Sequence, residues 1–208
     1  MVSIYQCKAQ FQDYLRPLVN QFASWQITPN QVTIAALLLS SVTGLAIVQS
    51  TQWATASLPS TQAVLLSVPL VLLGRMALNA MDGMLAREHD RTTKLGCILN
   101  ELGDVLADVS LYLPFSLIAG VSAPLIIGIV ILAIASEMVG VLGYAIDAQR
   151  HYEGPMGKSD RAFVFGALGL ILGLGIAPAQ WLSIFLSGVI CLQIWTTINR
   201  IQGMLKEV

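Results

Sequence analysis

Long apolar stretches divide the chain. Three segments, residues 17–74, 109–136 and 162–199, contain no Asp, Glu, Lys or Arg. A helix that crosses a bilayer needs about 20 consecutive apolar residues. The first and third segments are therefore long enough for more than one crossing each, and the second can join the end of one crossing to the start of the next. The pattern predicts a membrane protein built from several spanning helices.

Breaker-rich stretches set the expected number of helices. Polar runs containing Gly or Pro lie at residues 49–62, 120–124 and 175–180, and such residues punctuate helices. The predicted fold is all-α with six transmembrane helices, near residues 30–49, 62–86, 95–119, 124–147, 160–176 and 180–203.

The segment before the first predicted span has a different pattern. Phe11, Leu15 and Leu18 recur at helical spacing among polar residues, which is typical of an amphipathic helix lying on the membrane surface. A helix that packs against another subunit would show the same pattern, and both alternatives stay open. We expect one integral membrane domain, residues 1–208, with an interfacial helix at 1–27 and a six-helix core at 28–208.

The composition agrees with a bilayer environment. Hydrophobic residues make up 55% of the chain and charged residues 11%, whereas soluble domains average about 25% charged residues. A soluble domain of this size would have to cover its surface with polar groups. The net charge is −1, so no basic field predicts a nucleic-acid partner. Membrane lipids are the expected surroundings.

The positions of Lys and Arg predict an orientation. All eleven except Arg75 fall on one side of the six predicted spans, and the loops after the first, third and fifth spans contain none. Cytoplasmic loops carry an excess of Lys and Arg. We therefore expect both termini on the cytoplasmic side, together with the loops that join the second span to the third and the fourth to the fifth.

Candidate chemistry is concentrated between residues 79 and 108. Asn79 and Asp82 are three apart, and Asn100, Asp104 and Asp108 are four apart, so each set shares one face of its helix. If the two helices pack antiparallel, the two faces oppose each other. Acids are expensive in apolar helices and tend to face a site. Converging carboxylate and amide oxygens suit Mg²⁺ or Mn²⁺.

This segment resembles a family signature, D-x2-D-G-x2-A-R-x8-G-x3-D-x3-D, of the CDP-alcohol phosphotransferases. The matching positions are Asp82-Gly83, Ala86-Arg87, Gly96 and Asp104. The resemblance implies a phospholipid-synthesis enzyme that transfers a phosphatidyl group from CDP-diacylglycerol to an alcohol acceptor and releases CMP. It also implies a homodimer and, through a bacterial subgroup with the same asparagines, the bacterial inner membrane.

The resemblance also implies residue roles. Asp104 would be the catalytic base, and Mg²⁺ or Mn²⁺ would be held by Asp82 with Asn79, Asn100 and Asp104. The CDP moiety would be bound by Gly83, Ala86, Arg87 and Gly96.

Two positions depart from the signature, because Asn79 and Asn100 stand where the family has acids. Glu101 and Asp108 are candidates to replace the lost charge as metal ligands. The resemblance implies two bound metal ions. Alternatively the site here binds fewer or weaker metals than that, or it is degenerate and the protein acts as a lipid-binding or scaffold subunit. A small transporter is a further alternative, although the acids cluster at one end and no repeat is visible.

A second group of charged residues surrounds the start of the fifth predicted span. Arg150, Lys158 and Arg161 lie there, and a helix N-terminus with basic side chains can bind an anion. We expect either a site for an acceptor phosphate or a collar that binds anionic lipid head groups.

Two features within the predicted spans concern packing. Gly166, Gly169 and Gly173 have the small-residue spacing that lets helices approach closely. Glu137 lies in the middle of the fourth span and requires a partner, for which Arg75 is one candidate by depth.

Overall fold

The computed structural model describes residues 4–52, 60–146, 149–152 and 154–207. All regular secondary structure in these ranges is helical, so the all-α prediction is confirmed. The α-helices are α1 Ile4–Ser24, α2 Pro29–Gln52, α3 Thr61–Glu88, α4 Lys94–Tyr112, α5 Ala123–Leu142, α6 Lys158–Gly173 and α7 Gln180–Glu207.

Helices α2 to α7 lie close to the six predicted ranges, but two of them end earlier than expected. The helix predicted to 119 stops at Tyr112 and continues as a 3₁₀ turn, Leu113–Leu117. Pro114 explains this, because proline has no N–H and its ring clashes with the preceding turn of an α-helix. Similarly, α5 stops at Leu142 and a 3₁₀ turn, Gly143–Ile146, follows.

Four of the described helices are long and apolar enough to cross a membrane. They are α2, α3, α5 with its following turn, and α7. The shorter helices α4 and α6 do not meet that description, and both carry charged residues that face the protein interior. The count of six spans stays a prediction.

The N-terminal segment is a continuous helix, including Pro17. One face of α1 packs on α3, where Leu15 and Val19 join a buried cluster with Leu85. The opposite face exposes Tyr14. An α1 that lies on the membrane surface remains a prediction, although its two faces have the required difference in polarity.

Helix α2 lies between α3 and α4 and packs closely against both. Helices α3 and α4 are joined mainly by side chains, since Arg75 pairs with Asp108 and Asn79 donates to Asp104, and their backbones pack less closely on each other than on α2. Glycines explain the arrangement. Gly44 of α2 lies directly against the backbone of Ser110, and a Cβ at Gly103 would lie 3.2 Å from Thr33 of α2. The oxygen-bearing faces of α3 and α4 therefore oppose each other across a gap that side chains bridge, as where Arg75 donates to the Asp104 carbonyl.

The packing role predicted for the helix α6 glycines is confirmed at two positions. A Cβ at Gly169 would lie 2.9 Å from Val68 Cβ, and one at Gly173 would lie 2.8 Å from Leu66 Cγ. One turn earlier on α6, Phe165 stacks on Tyr112 of α4 with ring centroids 4.0 Å apart. The core therefore depends on close approach of α3 and α6 beside an aromatic stack.

We predict that Gly169→Leu destabilises the protein, whereas Gly188→Leu does not. The added side chain at 169 has no room, and overpacking of this kind costs about 1–3 kcal/mol. At Gly188 a Cβ meets no atom within 4 Å. Thermal unfolding of the two purified variants in the same detergent measures the difference. Equal unfolding temperatures would contradict the packing described for α3 and α6.

Candidate active site

The residues of the signature, with the exception of Asp104, line one open cavity between α3 and α4. We call it the motif cavity. Its volume is about 390 Å³, within the range of small-molecule sites. All four residues expected to bind the CDP moiety line it, namely Gly83, Ala86, Arg87 and Gly96. Space is limited at the two glycines, since a Cβ at Gly83 would lie 3.2 Å from the Arg87 guanidinium and one at Gly96 would lie 2.9 Å from Asn30 Oδ1, and these side-chain ends would have to shift.

The loop that joins α3 to α4 is fixed by local hydrogen bonds. Thr93 caps α4 by accepting a hydrogen bond from the Gly96 N–H at 2.9 Å. Arg91 donates to the Ile27 carbonyl at 3.0 Å, which ties the loop to the turn before α2. Asp90 has φ +52°, a conformation that Asp tolerates better than most residues. Hydrogen bonds therefore hold the loop and the turn at the mouth of the motif cavity in place.

Asp82 lies at the bottom of this cavity and is 5% exposed. Its Oδ2 accepts a hydrogen bond of 2.8 Å from the Thr33 hydroxyl. That hydroxyl also lies 3.1 Å from the Pro29 carbonyl, one turn earlier in α2. Our sequence interpretation missed Thr33, because nothing in the spacing of the signature refers to α2. The Asp82 carboxylate is thus oriented by a neighbouring helix.

Asp104 is held by two donors. Its Oδ1 accepts a hydrogen bond of 3.2 Å from Asn79 Nδ2 and forms an ion pair with Lys158 Nζ. The three side chains come from α3, α4 and α6. The structure therefore joins the expected base to one of the variant asparagines and to one of the residues expected to contact the acceptor.

The two acids considered as replacement ligands both have cationic partners. Glu101 forms an ion pair with Arg150. Asp108 is 4% exposed and contacts Arg75 at 2.6 Å and Arg161 at 3.0 Å. Their negative charge is therefore largely compensated by arginines.

Glu137 is the centre of a second group of ion pairs. It contacts Arg161 at 2.9 Å, Arg150 at 3.2 Å and Arg200 at 3.5 Å. Arg75, the candidate suggested by depth, pairs with Asp108 instead. We use the name arginine cluster for the connected set of side chains, Arg75, Glu101, Asp108, Glu137, Arg150, Arg161 and Arg200.

Arg150 lies in the segment before α6, and its side chain is 10% exposed. It stacks on the ring of Tyr152, with 4.7 Å from the guanidinium carbon to the ring centroid. Burial lowers the pKa of Arg150, but a guanidinium keeps its proton at neutral pH. Arg150 is therefore a fixed positive charge.

Two further cavities meet the motif cavity. The loop cavity, about 370 Å³, is lined by Asn100, Asp104, Arg150 and Lys158, among others. The apolar cavity, about 650 Å³, is mainly lined by apolar atoms. Asn79 borders both the motif and apolar cavities, and Asn100 borders both the motif and loop cavities. The two variant asparagines therefore mark the junction of three spaces, beside Asp104.

The described residues contain no group of three or more His, Cys, Asp and Glu placed to hold a metal ion. The available oxygen donors at the junction are the carboxylates of Asp82 and Asp104 and the amides of Asn79 and Asn100. Oxygen donors of this kind suit a hard divalent cation. Of the four acids, Asp82 is the one best placed for a cation, because Glu101 and Asp108 are paired with arginines and Asp104 is paired with Lys158.

Comparison with known proteins decides the family. Residues 26–198 match the family model described as CDP-alcohol phosphatidyltransferase. The chain belongs to the CDP-alcohol phosphatidyltransferase family. It is thus a transferase of the type that serves phospholipid synthesis, and its apolar helices make it an integral membrane protein.

Two similar proteins illustrate the relationship. The chain is 42% identical over 204 residues to the inner membrane protein YnbA of Escherichia coli (strain K12). The aligned residues cover 98% of this chain and 97% of the relative. It has the fold of the Mycobacterium tuberculosis phosphatidylinositol phosphate synthase PgsA1, whose structure was solved with CDP-DAG bound. The TM-score is 0.71 and the identity 16%, over 90% of this chain and 92% of the other.

We predict that Asp108→Asn destabilises the protein strongly. The change removes the charge that compensates the buried Arg75 and Arg161, and breaking a buried ion pair in this way costs about 3–5 kcal/mol. Thermal unfolding in detergent is the measurement. The matched control is Glu88→Gln, because Glu88 pairs with Arg16 in an exposed position, where an ion pair contributes little. An unchanged unfolding temperature for Asp108→Asn together with weaker Mn²⁺ binding would indicate a metal ligand instead.

Proposed function

We propose that this protein transfers a phosphatidyl group from CDP-diacylglycerol to an alcohol and releases CMP, with dependence on Mg²⁺ or Mn²⁺. The observation that supports this best is the convergence of the signature residues. Gly83, Ala86, Arg87 and Gly96 line one cavity, and Asp104 lies where the neighbouring loop cavity begins. Family membership and the CDP-DAG bound to the PgsA1 structure support the same donor.

The motif cavity is the proposed place of the CDP moiety. Gly83 has no side chain, so a ligand can approach the backbone there. The Arg87 guanidinium lies beside Gly83 and can form two parallel hydrogen bonds to a phosphate. A divalent cation held by Asp82 with the amide oxygens of Asn79 or Asn100 would neutralise the diphosphate and stabilise the leaving CMP.

Asp104 is the proposed general base. Its side chain is 20% exposed and borders the loop cavity, where an acceptor hydroxyl can reach it. The hydroxyl proton passes to the Asp104 carboxylate. The acceptor oxygen forms a bond to the phosphorus that carries the diacylglycerol, the bond from that phosphorus to the CMP oxygen breaks, and CMP leaves with its electron pair.

The loop cavity is the proposed place of the acceptor. Arg150 and Lys158 line it and can contact an acceptor phosphate or hydroxyl groups. We leave Arg161 out of this role, because it is 1% exposed and donates to Asp108 and Glu137.

The apolar cavity is the proposed place of the diacylglycerol end of the donor. Leu72, Met76 and Phe11 line it, and it borders Asn79. The lipid tails would then remain in the bilayer while the diphosphate reaches Asp82. The name of the YnbA relative supports an inner-membrane location. The cytoplasmic orientation rests on the positions of Lys and Arg, and the homodimer rests on family resemblance alone.

We predict that purified protein releases CMP from CDP-diacylglycerol when it is given Mg²⁺ or Mn²⁺ and a suitable alcohol. The panel of acceptors contains glycerol 3-phosphate, inositol, inositol phosphate and serine. Asp104→Asn should lower the rate at least 100-fold, because general bases contribute about 10²–10⁴-fold. The rate of CMP formation by chromatography measures this. The matched control is Asp90→Asn, at an exposed position outside the cavities, which should retain the activity of the original protein.

Three outcomes separate the alternatives. Metal-dependent CMP release that is lost in Asp104→Asn supports the enzyme. No release with any acceptor, from protein that still binds CDP-diacylglycerol, indicates the degenerate lipid-binding protein. Solute flux into liposomes without CMP release indicates the transporter.

A further inference from the structure

The site of the proposed reaction has an ammonium group next to the expected base. Lys158 Nζ pairs with Asp104 Oδ1, and Asn79 Nδ2 donates to the same oxygen. A carboxylate oxygen with two donors is already compensated and has little capacity left for a cation. Asp82, by contrast, accepts its side-chain hydrogen bond from the neutral Thr33 hydroxyl.

We infer that the site binds one divalent cation, on the Asp82 side, and that the Lys158 ammonium occupies the place where a second cation would act on Asp104. This inference rests on the proposed function for the nature of the site. It assigns to Lys158 the role of a built-in cation that positions the base, in addition to any contact with the acceptor.

The charges at the junction support a single cation. Asp82 and Asp104 contribute two negative charges and Lys158 one positive charge, while Arg87 is exposed, so the half-buried side chains carry a net charge of −1 and attract a first cation even without the donor. One bound divalent cation leaves a charge of +1, whereas two would leave +3 in a half-buried site, which is unfavourable.

Other acids do not change this balance. Glu101 is paired with Arg150, and Asp108 with Arg75 and Arg161. Asp160 also lines the loop cavity, but its Oδ2 accepts a hydrogen bond from the Gly157 N–H at the start of α6. The amides of Asn79 and Asn100, which lie near Asp104, have no charge. A second cation would therefore have to compete with Lys158 for a single carboxylate.

The backbone holds Lys158 in place. It is the first residue of α6, and the segment before it is seated on α7. Met156 N–H donates to Thr196 Oγ1 at 2.9 Å. Gly154 has φ +127°, and a Cβ there would lie 2.6 Å from Thr196 Cα, so only glycine fits this approach. These contacts hold the backbone that leads into α6, and they therefore place the Lys158 ammonium beside Asp104.

The test counts metal ions and does not require turnover. Mn²⁺ alone is added to the purified full-length protein in detergent, and bound ions per chain are counted from the loss of the free Mn²⁺ signal in electron paramagnetic resonance. We expect one ion for the original protein and one for Lys158→Arg, which keeps the positive charge. The triple variant Asn79→Asp, Asn100→Asp, Lys158→Met should bind two ions with a spin-coupled pair signal. The double variant that keeps Lys158 should still bind one.

Several results would overturn the inference. They are two ions or none in the original protein, two ions in the double variant, or one ion in a folded triple variant. If the triple variant fails to elute as a single species, the counts for the original protein and the double variant decide. One bound Mn²⁺ in protein that releases no CMP would contradict the proposed function and leave this inference standing.

Discussion

The rest of the structure depends on compensation of charges that are buried in an apolar bundle. A carboxylate in a low-dielectric interior keeps its charge only beside a cation, and each buried acid of the arginine cluster has one. Arg75, Asp108, Glu137, Arg161 and Arg200 come from five successive helices, α3 to α7. The ion pairs therefore fix how these helices lie relative to one another, in a protein whose apolar faces give little specificity because lipid is as apolar as the side chains.

The arginine cluster also sets the geometry of the candidate active site. Asp104 lies one turn before Asp108 on α4, and Lys158 lies three residues before Arg161 on α6, so each pair shares a helix face. When Arg161 binds Asp108 at 3.0 Å, the preceding turns are brought together and Lys158 meets Asp104. The ion pair between Lys158 and Asp104 is thus a consequence of the ion pair between Arg161 and Asp108, which lies one turn further along both helices. This coupling explains how a short helix such as α6 can place an ammonium at the junction of three cavities.

The sequence was sufficient for features that depend on one helix at a time. Shared faces, such as that of Asn79 and Asp82, follow from spacing, and the close packing at Gly169 follows from the absence of a side chain. It was insufficient for features that depend on how helices are arranged. The position of α2 between α3 and α4, and hence the bond from Thr33 to Asp82, follows from tertiary packing. Likewise, the contact between Glu137 and Arg200 of α7 could not be predicted. Several arginines lie at a suitable depth, and only the three-dimensional arrangement selects among them.

The asparagine at position 79 is best understood together with Lys158. A carboxylate there would lie about 3 Å from Asp104 Oδ1, judging from the 3.2 Å contact of Asn79 Nδ2, and two like charges at that distance cannot both remain ionised without a cation between them. An amide turns this repulsion into a donated hydrogen bond, and the ammonium of Lys158 supplies the remaining charge. The Asn79 amide and the Lys158 ammonium thus together avoid the repulsion and compensate the charge of Asp104. A change at either position should alter the requirement at the other, which makes the departure from the acidic signature part of a consistent site.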